Sequence, residues 1–223
     1  MDLAALTLTL RLAGTTTVCL LLLATPLAAW LAAGHTLPRR VVQAAVTLPL
    51  VLPPTVLGFY LLEGLGPATA FGRMLIKLFG HPLAFTFSGL LVASVIYSLP
   101  FAVQPLVLGF QSVPRGLTET AAVLGASPFK AFTRVTLPLS RLSFLTAAVL
   151  TFAHTVGEFG VVLMIGGDIP GFTRTLSISI YDQVQEANYT AANRTSLALI
   201  GVSFAALLAV YTRSRMPRGA ELA

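Results

Sequence analysis

Long apolar runs separated by short polar stretches make up most of this chain. A helix needs roughly 20 residues to cross the hydrocarbon core of a bilayer. Four of the runs are close to that length, and the third exceeds it. We therefore predict five membrane spans, at residues 12–33, 41–62, 83–110, 142–165 and 195–212. The pattern indicates an all-α integral membrane protein with a single transmembrane domain over residues 1–223.

Prolines interrupt two of the predicted spans. The second span contains Pro49, Pro53 and Pro54, and the third contains Pro100 and Pro105. A proline removes an intrahelical hydrogen bond, and the freed carbonyl must find a partner inside the protein or face a wet cavity. The second span is thus expected to face the protein interior, although a kinked packing helix fits the same pattern.

The two polar segments between spans also carry helical signals. Residues 63–82 are predicted to form an irregular external loop with a short helix over 71–79. Residues 177–185 are predicted to form a short interfacial helix.

Composition excludes a water-soluble domain. The chain is 56% hydrophobic and 10% charged, with a mean hydropathy of +0.85, whereas soluble domains carry roughly 25% charged residues. The net charge of +6 could suggest nucleic-acid binding, but the charges lie in short loops, as in membrane proteins. No nucleic-acid partner is therefore expected. The single cysteine, Cys19, excludes an intrachain disulfide.

The basic residues predict the orientation. Nine of them fall on the side of the first turn, the polar stretch after the third span and the tail: Arg39, Arg40, Arg115, Lys130, Arg134, Arg141, Arg213, Arg215 and Arg218. Five fall on the other side: Arg11, Arg73, Lys77, Arg174 and Arg194. The first side is then the cytoplasm, with the N-terminus outside and the C-terminus cytoplasmic. A cleavable signal peptide is the alternative for the first run, but the run is long for one and Asp2 replaces a basic start.

Residues 114–138 form a polar, helix-prone stretch between two apolar runs. Gly125 can take the left-handed conformation that ends a helix. Ser127 can cap the next helix, and Pro128 fits its first position. Pro138 stands where the next apolar helix begins. The stretch predicts helix, corner, helix and membrane entry, on the cytoplasmic side; a generic amphipathic linker is the alternative.

This stretch resembles the EAA loop of bacterial ABC importer permeases. The matching positions are Glu119, Thr120, Ala121, Gly125, Val135, Leu137 and Pro138. Thr120 and Val135 depart mildly from the family's Ala and Ile. The resemblance implies a type I ABC importer permease fold and a coupling loop that docks on a separate ATP-binding subunit. Phe129 and Phe132 would either contact that subunit or pack on the chain's own spans.

The chain has no phosphate-binding loop of the G-x-x-x-x-G-K-[ST] type. If transport is driven by ATP, then ATP and Mg²⁺ belong to the partner ATPase. We expect no catalytic, cofactor-binding or metal-binding residues in this chain, which would be a transport subunit and not an enzyme.

His154 and Glu158 are the ionisable residues of the fourth span, four positions apart and so on one helix face. One interpretation is a proton relay or an intramembrane enzyme, but there is no H-E-x-x-H motif and no further His or Asp in a span. The other interpretation is structural. Ala153 and Gly157 allow close helix approach, and Glu158 could bond across that contact or lie near the outer water.

Four stretches resemble molybdate importer permeases more specifically: residues 48–62, 157–160, 169–175 and 177–185. The resemblance implies a homodimer in the bacterial inner membrane, two ABC ATPase subunits and a periplasmic molybdate-binding protein. Gate or pathway residues would be Pro53, Pro54, Thr55, Ser98, Gly157, Glu158 and Gly160. A sulfate or tungstate permease is the near alternative, because sulfate permeases share the loop and a similar GEFG segment. The outer basic residues Arg73, Lys77, Arg174 and Arg194 could dock the binding protein or draw in an anion, but a plain solvated surface is the favoured interpretation.

Overall fold

The computed structural model describes residues 2–213, and its regular elements there are helical. The first half contains α1 Leu3–Ala32, α2 Leu37–Thr47, a 3₁₀ turn Leu48–Leu50, α3 Pro54–Leu65, α4 Ala70–Phe79 and α5 Phe87–Gln111. The second half contains α6 Arg115–Val123, α7 Pro128–Ala131, a π-helical turn Phe132–Thr136, α8 Leu137–Leu139, α9 Arg141–Val156, α10 Gly160–Gly166, α11 Leu176–Gln185 and α12 Tyr189–Arg213.

Three helices are long and apolar enough to cross a membrane: Leu3–Ala32, Phe87–Gln111 and Tyr189–Leu208. Two further candidates are bent pairs. Leu37–Leu50 meets Pro54–Leu65 at 109°, and Pro128–Leu139 meets Arg141–Val156 at 69°. If each bent pair is one span, the described residues contain five.

The main core lies where α1, α5 and α9 pack together. Small side chains at Ala24, Ala28, Ala102 and Ala147 are fully buried there, which lets the helix backbones approach closely. Larger apolar residues fill the remaining space between the helices: Leu20, Leu31, Val103, Leu106 and Phe110.

The first helix begins at Leu3 and not at the predicted residue 12. Asp2 caps it by accepting a hydrogen bond from the Ala5 N–H at 3.0 Å. The predicted span began after Arg11, but in the structure Arg11 lies within α1. Its guanidinium lies 4.6 Å from the centre of the Phe87 ring at the start of α5. An arginine that rests on a ring and keeps its head near the interface is compatible with a spanning helix.

The interruption predicted within the span over 41–62 is present as a sharp bend. Its chain turns through 109° between α2 and α3. Pro49 lies in the 3₁₀ turn, and Pro53 and Pro54 stand at the start of α3. These prolines lack the N–H groups that a continuous helix would need, and each disfavours helical backbone at the residue before it.

The predicted span over 142–165 is also interrupted. Helix α9 ends at Val156, and α10 begins at Gly160. The third helix, by contrast, runs through both of its prolines from Phe87 to Gln111. The two short helices predicted between spans are present as α4 and α11, and α12 starts at Tyr189, before the predicted residue 195.

Candidate coupling loop and translocation residues

The polar stretch after α5 folds into an elbow of two short helices, which we define as residues 115–139. Helix α6 ends at Gly125, whose φ of +84° lies in the left-handed region. The Ala126 N–H donates to the Ala121 carbonyl and the Gly125 N–H donates to the Ala122 carbonyl, both at 2.9 Å. This pair of backbone bonds is the Schellman arrangement that closes a helix C-terminus. The predicted corner at Gly125 is confirmed.

The second arm of the elbow starts as the sequence predicts. The Ser127 hydroxyl accepts from the Lys130 N–H, and Pro128 occupies the first helical turn. A π-helical turn over Phe132–Thr136 precedes Pro138, and the chain then bends by 69° near Ser140 to enter α9. A local widening of this kind is a common way to accommodate a missing N–H in a helix.

The elbow presents an apolar tip. Val123, Leu124 and Phe129 are 87%, 82% and 76% exposed, and Glu119 is exposed on α6. Phe132 turns the other way and packs edge-on against Phe110, with ring centres 5.4 Å apart. Phe129 is therefore exposed at the tip, whereas Phe132 packs on the chain's own α5. The sequence had left both arrangements open for each of them.

The motif positions divide by exposure. Most of them lie on the surface of the elbow: Glu119, Thr120, Gly125, Leu137 and Pro138. Ala121 and Val135 are half-buried. A small hollow of about 330 Å³ lies between the arms and is lined by other residues, among them Ala122, Ala126 and Phe132.

A tight contact joins the elbow to α5. The Ser140 hydroxyl donates to the Gly109 carbonyl at 3.1 Å. A Cβ placed on Gly109 would meet the Ser143 Oγ at 2.0 Å, so only glycine allows this approach. Sequence reasoning missed the contact, although a glycine near the end of a spanning run was the available signal.

A polar cluster lies between α5 and α9 inside the membrane domain. The Ser98 hydroxyl is 2.9 Å from His154 Nδ1 and 3.1 Å from the Thr155 hydroxyl. The His154 ring stacks on Phe101 with centres 4.0 Å apart and leans against Tyr97. His154 is therefore held by one hydroxyl and two rings, which is a structural arrangement.

Glu158 is 4% exposed, and neither oxygen of its carboxyl group has a hydrogen bond within the described residues. The Ser94 hydroxyl faces it from α5. Residues 2–213 contain no group of three His, Cys, Asp or Glu side chains that could hold a metal ion. The arrangement offers no metal ligands to support the enzyme hypothesis.

The other predicted pathway residues surround the break between α9 and α10. A Cβ on Gly160 would meet Pro54 Cβ at 2.7 Å, and one on Gly58 would meet Met164 Cβ at the same distance. The structure therefore brings Pro54 and Gly160 into contact. Pro53, Thr55 and Gly157 are exposed, whereas Ser98 and Glu158 are buried.

An ion-pair cluster that the sequence did not predict lies on the segment between α10 and α12. Arg174 donates to both oxygens of Asp168 and lies 3.6 Å from Asp182 Oδ2. The bond from Arg174 lowers the pKa of Asp168. Burial, together with Asp168 beside it, raises the pKa of Asp182 to about 6.

Comparison with known proteins identifies the family. Residues 24–215 match the family described as the binding-protein-dependent transport system inner membrane component. This chain belongs to that permease family. The match covers most of the domain, including both bent pairs, the elbow and the segment that carries Arg174.

Named relatives of the permease resemble it over nearly its whole length. A molybdenum transport system permease protein of Azotobacter vinelandii is 50% identical over 218 residues, which is 98% of this chain and 96% of that protein. The corresponding Escherichia coli K12 protein is 33% identical over 192 residues, 85% of this chain and 84% of that protein. A putative molybdenum permease of Bacillus subtilis is 32% identical, covering 88% and 87%.

Solved structures agree on the fold. A bacterial ABC transporter involved in import of the acidic polysaccharide alginate superposes with a TM-score of 0.77 at 21% identity, covering 97% of this chain and 80% of that chain. The same kind of transporter in complex with a periplasmic protein bound to alginate pentasaccharide gives 0.76 at 20% identity, covering 96% and 78%. The permease thus has the all-α type I ABC importer fold. It is a multi-pass inner-membrane transport subunit and not an enzyme, so the enzyme hypothesis for His154 and Glu158 is wrong.

Proposed function

We propose that this chain is the permease subunit of an ATP-driven importer that takes up molybdate delivered by a periplasmic binding protein. The observation that carries the proposal is the 50% identity, over 98% of the chain, to a permease named for molybdenum transport. The buried hydroxyls of Ser94, Ser98, Thr151 and Thr155 are compatible with a weakly binding path for an oxyanion. Such a path suits a carrier that must release what it receives.

In this proposal two copies of the chain enclose the pathway, because a single chain of this size is too small to surround a hydrated oxyanion. Their proline-containing second and third spans, together with the fourth span, would line it. Each elbow would insert its apolar tip into a groove of one of two ABC ATPase subunits, which hold ATP and Mg²⁺. Closure of the ATPases on ATP would draw the elbows together and open the pathway outward, and hydrolysis would reset it.

The coupling role of the elbow rests on its surface. Large apolar side chains at 76–87% exposure are unfavourable in water, and their burial against a partner would stabilise the complex by removing that surface from solvent. Backbone bonds at Gly125 close the first arm and the Ser127 hydroxyl caps the second, so the tip can transmit force. Glu119, which makes no ion pair within the described chain, is free to pair with a cation of the partner.

The proposed orientation places the elbow and the C-terminus in the cytoplasm and the N-terminus outside. His35 of the first turn and Arg115 of the elbow line one hollow of about 500 Å³, so the basic first turn and the basic elbow share one side. Arg11 meets Phe87 near the opposite ends of α1 and α5. Arg215 and Arg218, on which the sequence prediction also drew, lie outside the described residues.

Reconstitution of the complete importer tests the proposal. Permease, ATPase and binding protein in liposomes should accumulate radiolabelled molybdate only with ATP, and an excess of unlabelled sulfate should compete poorly. Equal uptake or strong competition by sulfate or tungstate would reassign the anion. No ATP-dependent uptake of any of the three would reject the proposed function.

The same vesicles test the elbow. Gly125→Pro removes an N–H donor and cannot adopt a φ of +84°, and Glu119→Lys reverses the charge at the docking surface. Both variants should remain in the membrane and lose uptake, while the ATPase continues to hydrolyse ATP without transport. Normal uptake by both would rule out the docking role.

A further inference from the structure

A hollow of about 510 Å³ lies between the end of α1, helix α2 and the last turns of α5. None of the predicted pathway residues lines it. Its polar lining consists mainly of Arg39, Arg40, Gln43, Thr47, Gln104 and Gln111. The lining contains no Asp or Glu, so two permanent positive charges face the hollow together with three side-chain amides and a hydroxyl.

Arg39 is held in place without a carboxylate partner within the described residues. Its guanidinium lies 5.5 Å from the centre of the Trp30 ring, and its Nε is buried with no hydrogen-bond partner. A Cβ on Gly34 would meet Arg39 Nη1 at 2.5 Å, so the glycine makes room for this position. A guanidinium that is fixed, partly desolvated and not paired with a carboxylate is well suited to receive an anion from outside the chain.

The far wall of the hollow is also ordered. The Gln104 side-chain amide donates to the Thr47 hydroxyl at 3.1 Å and so connects α5 to α2. Gln104 also lines the neighbouring hollow of about 590 Å³ beside Pro100, Phe101 and Ser143. Gln104 therefore lines both hollows, of which only the first also contains arginine side chains.

We propose that this basic hollow binds a tetrahedral oxyanion through Arg39 and Arg40, with the amides of Gln43 and Gln111 as additional donors. The chemistry has two possible sources, a free oxyanion leaving the pathway or the phosphate group of an anionic phospholipid. The planar guanidinium forks of Arg39 and Arg40 fit either one, because both present oxygens in the same geometry. This inference rests on the proposed function in one respect, which is the placement of the hollow on the cytoplasmic side of the membrane.

The size of the hollow agrees with this ligand. Water occupies about 30 Å³ per molecule in the liquid, so the hollow has room for one oxyanion and the water around it. A hydrated site favours binding that is weak enough to permit release.

The test uses the importer with its ATPase subunits but without the binding protein. Equilibrium dialysis with radiolabelled molybdate, with inorganic phosphate as competitor, detects a free-oxyanion site. Reconstitution in nanodiscs of phosphatidylglycerol or phosphatidylcholine, followed by mass spectrometry of the lipid that stays bound after detergent extraction, detects a headgroup site. Four forms are compared: wild type, Arg39→Gln, Gly34→Ala and the matched control Arg141→Gln, which removes an exposed arginine of α9.

Loss of a charge-assisted hydrogen bond lowers affinity by about tenfold or more, so Arg39→Gln should show that decrease for the ligand that binds. Gly34→Ala should weaken binding in the same direction without changing the net charge, because it displaces the guanidinium. Arg141→Gln should match the wild type, and all four forms should elute as the same complex in size-exclusion chromatography.

Retention of molybdate alone assigns the hollow to the free oxyanion, and retention of phosphatidylglycerol alone assigns it to the headgroup. If neither depends on Arg39 and Gly34, the inference is overturned. That result is distinct from failure of the proposed function, which is measured by ATP-driven uptake of wild-type protein in vesicles.

Discussion

Individual residues set the corners of this permease, and Gly125 shows how. An L side chain at a φ of +84° costs about 1–2 kcal/mol, although a Cβ there would meet nothing within 4 Å. The strain is thus purely conformational. A corner of this kind can be predicted from sequence, because Gly125, Ser127 and Pro128 determine the backbone conformation only of residues next to them in the chain.

A graded series at this position should therefore follow backbone preference. Gly125→Asn should lower coupled uptake least, because asparagine tolerates the left-handed region. Gly125→Ala should lower it more, and Gly125→Pro most. Gly116→Ala is the control, since a Cβ on Gly116 also meets nothing within 4 Å and its φ is not positive. Equal uptake by all Gly125 variants would show that the corner does not limit coupling.

Long-range residue contacts could not be predicted in the same way. Ser98 and His154 were both singled out in the sequence, but the bond between them joins positions 56 residues apart. The same holds for the bond from the Leu176 N–H to the Thr9 hydroxyl, which ties α11 to α1. Such pairs depend on how helices pack, and hydrophobic patterning does not specify that.

Helices and their connections are the scale at which the sequence predictions were partly wrong. An apolar run has the same composition whether its helix is straight or bent. The prolines near residue 53 predicted an interruption, but the 109° turn also depends on the close approach of α3 to α10 at Gly58 and Gly160. Two prolines in α5 caused no break, because that helix is continuous from Phe87 to Gln111.

The junction of α5 with the elbow gives a prediction at this scale. Gly109→Ala should force α5 and α9 apart, because its Cβ would overlap the Ser143 side chain at 2.0–2.4 Å. Overpacking of this kind typically costs about 1–3 kcal/mol, which should appear as a lower melting temperature of the importer in detergent. Adding Ser143→Gly should restore it by removing the overlapping atoms.

Gly14→Ala is the matched control for that experiment, since a Cβ on this α1 glycine meets nothing within 4 Å. An unchanged melting temperature in Gly109→Ala would mean that the α5–α9 junction yields easily and does not transmit motion from the elbow.

The whole molecule separates its charged groups into two regions. The elbow side carries cations with few carboxylates, whereas the opposite side holds the Asp168, Arg174 and Asp182 cluster, outside the spanning helices. Asp2 and Glu186 add to the field there. Sequence reasoning predicted the side of each charge but treated Arg174 as solvated, because the pairing needs the loop from 167 to 175 to fold back.

This cluster predicts a pH dependence. The folded-state pKa of Asp182, about 6, lies above its ordinary value of 3.8, so the folded protein binds this proton more tightly than the unfolded chain. The contribution of Asp182 to stability should thus increase as the pH falls from 7.5 to 5. The ion pair between Asp168 and Arg174 has the opposite pH dependence, because its contribution to stability is lost when Asp168 is protonated. The lowered pKa of Asp168 confines that loss to more acidic conditions.

Asp182→Asn removes the titrating carboxyl group and should raise the melting temperature at pH 7.5, where the wild-type carboxylate is charged. The melting temperature of the variant should change little between pH 7.5 and 5. Melting of detergent-solubilised wild type and variant at both pH values measures this. Glu63→Gln is the control, because it neutralises an exposed carboxylate of α3 that is not part of the cluster. A variant that is less stable than the wild type at pH 7.5 would contradict the assignment.

The Schellman closure of α6 has a consequence for how such permeases diversify. Its two bonds join main-chain atoms only, so the shape of the tip does not depend on which side chains project from it. Val123, Leu124 and Phe129 can be replaced to fit a different ATPase subunit, while the backbone of the elbow keeps its conformation. Partner choice and rigidity therefore depend on separate sets of positions. The specificity for a partner could be redesigned without changing the residues that keep the elbow rigid.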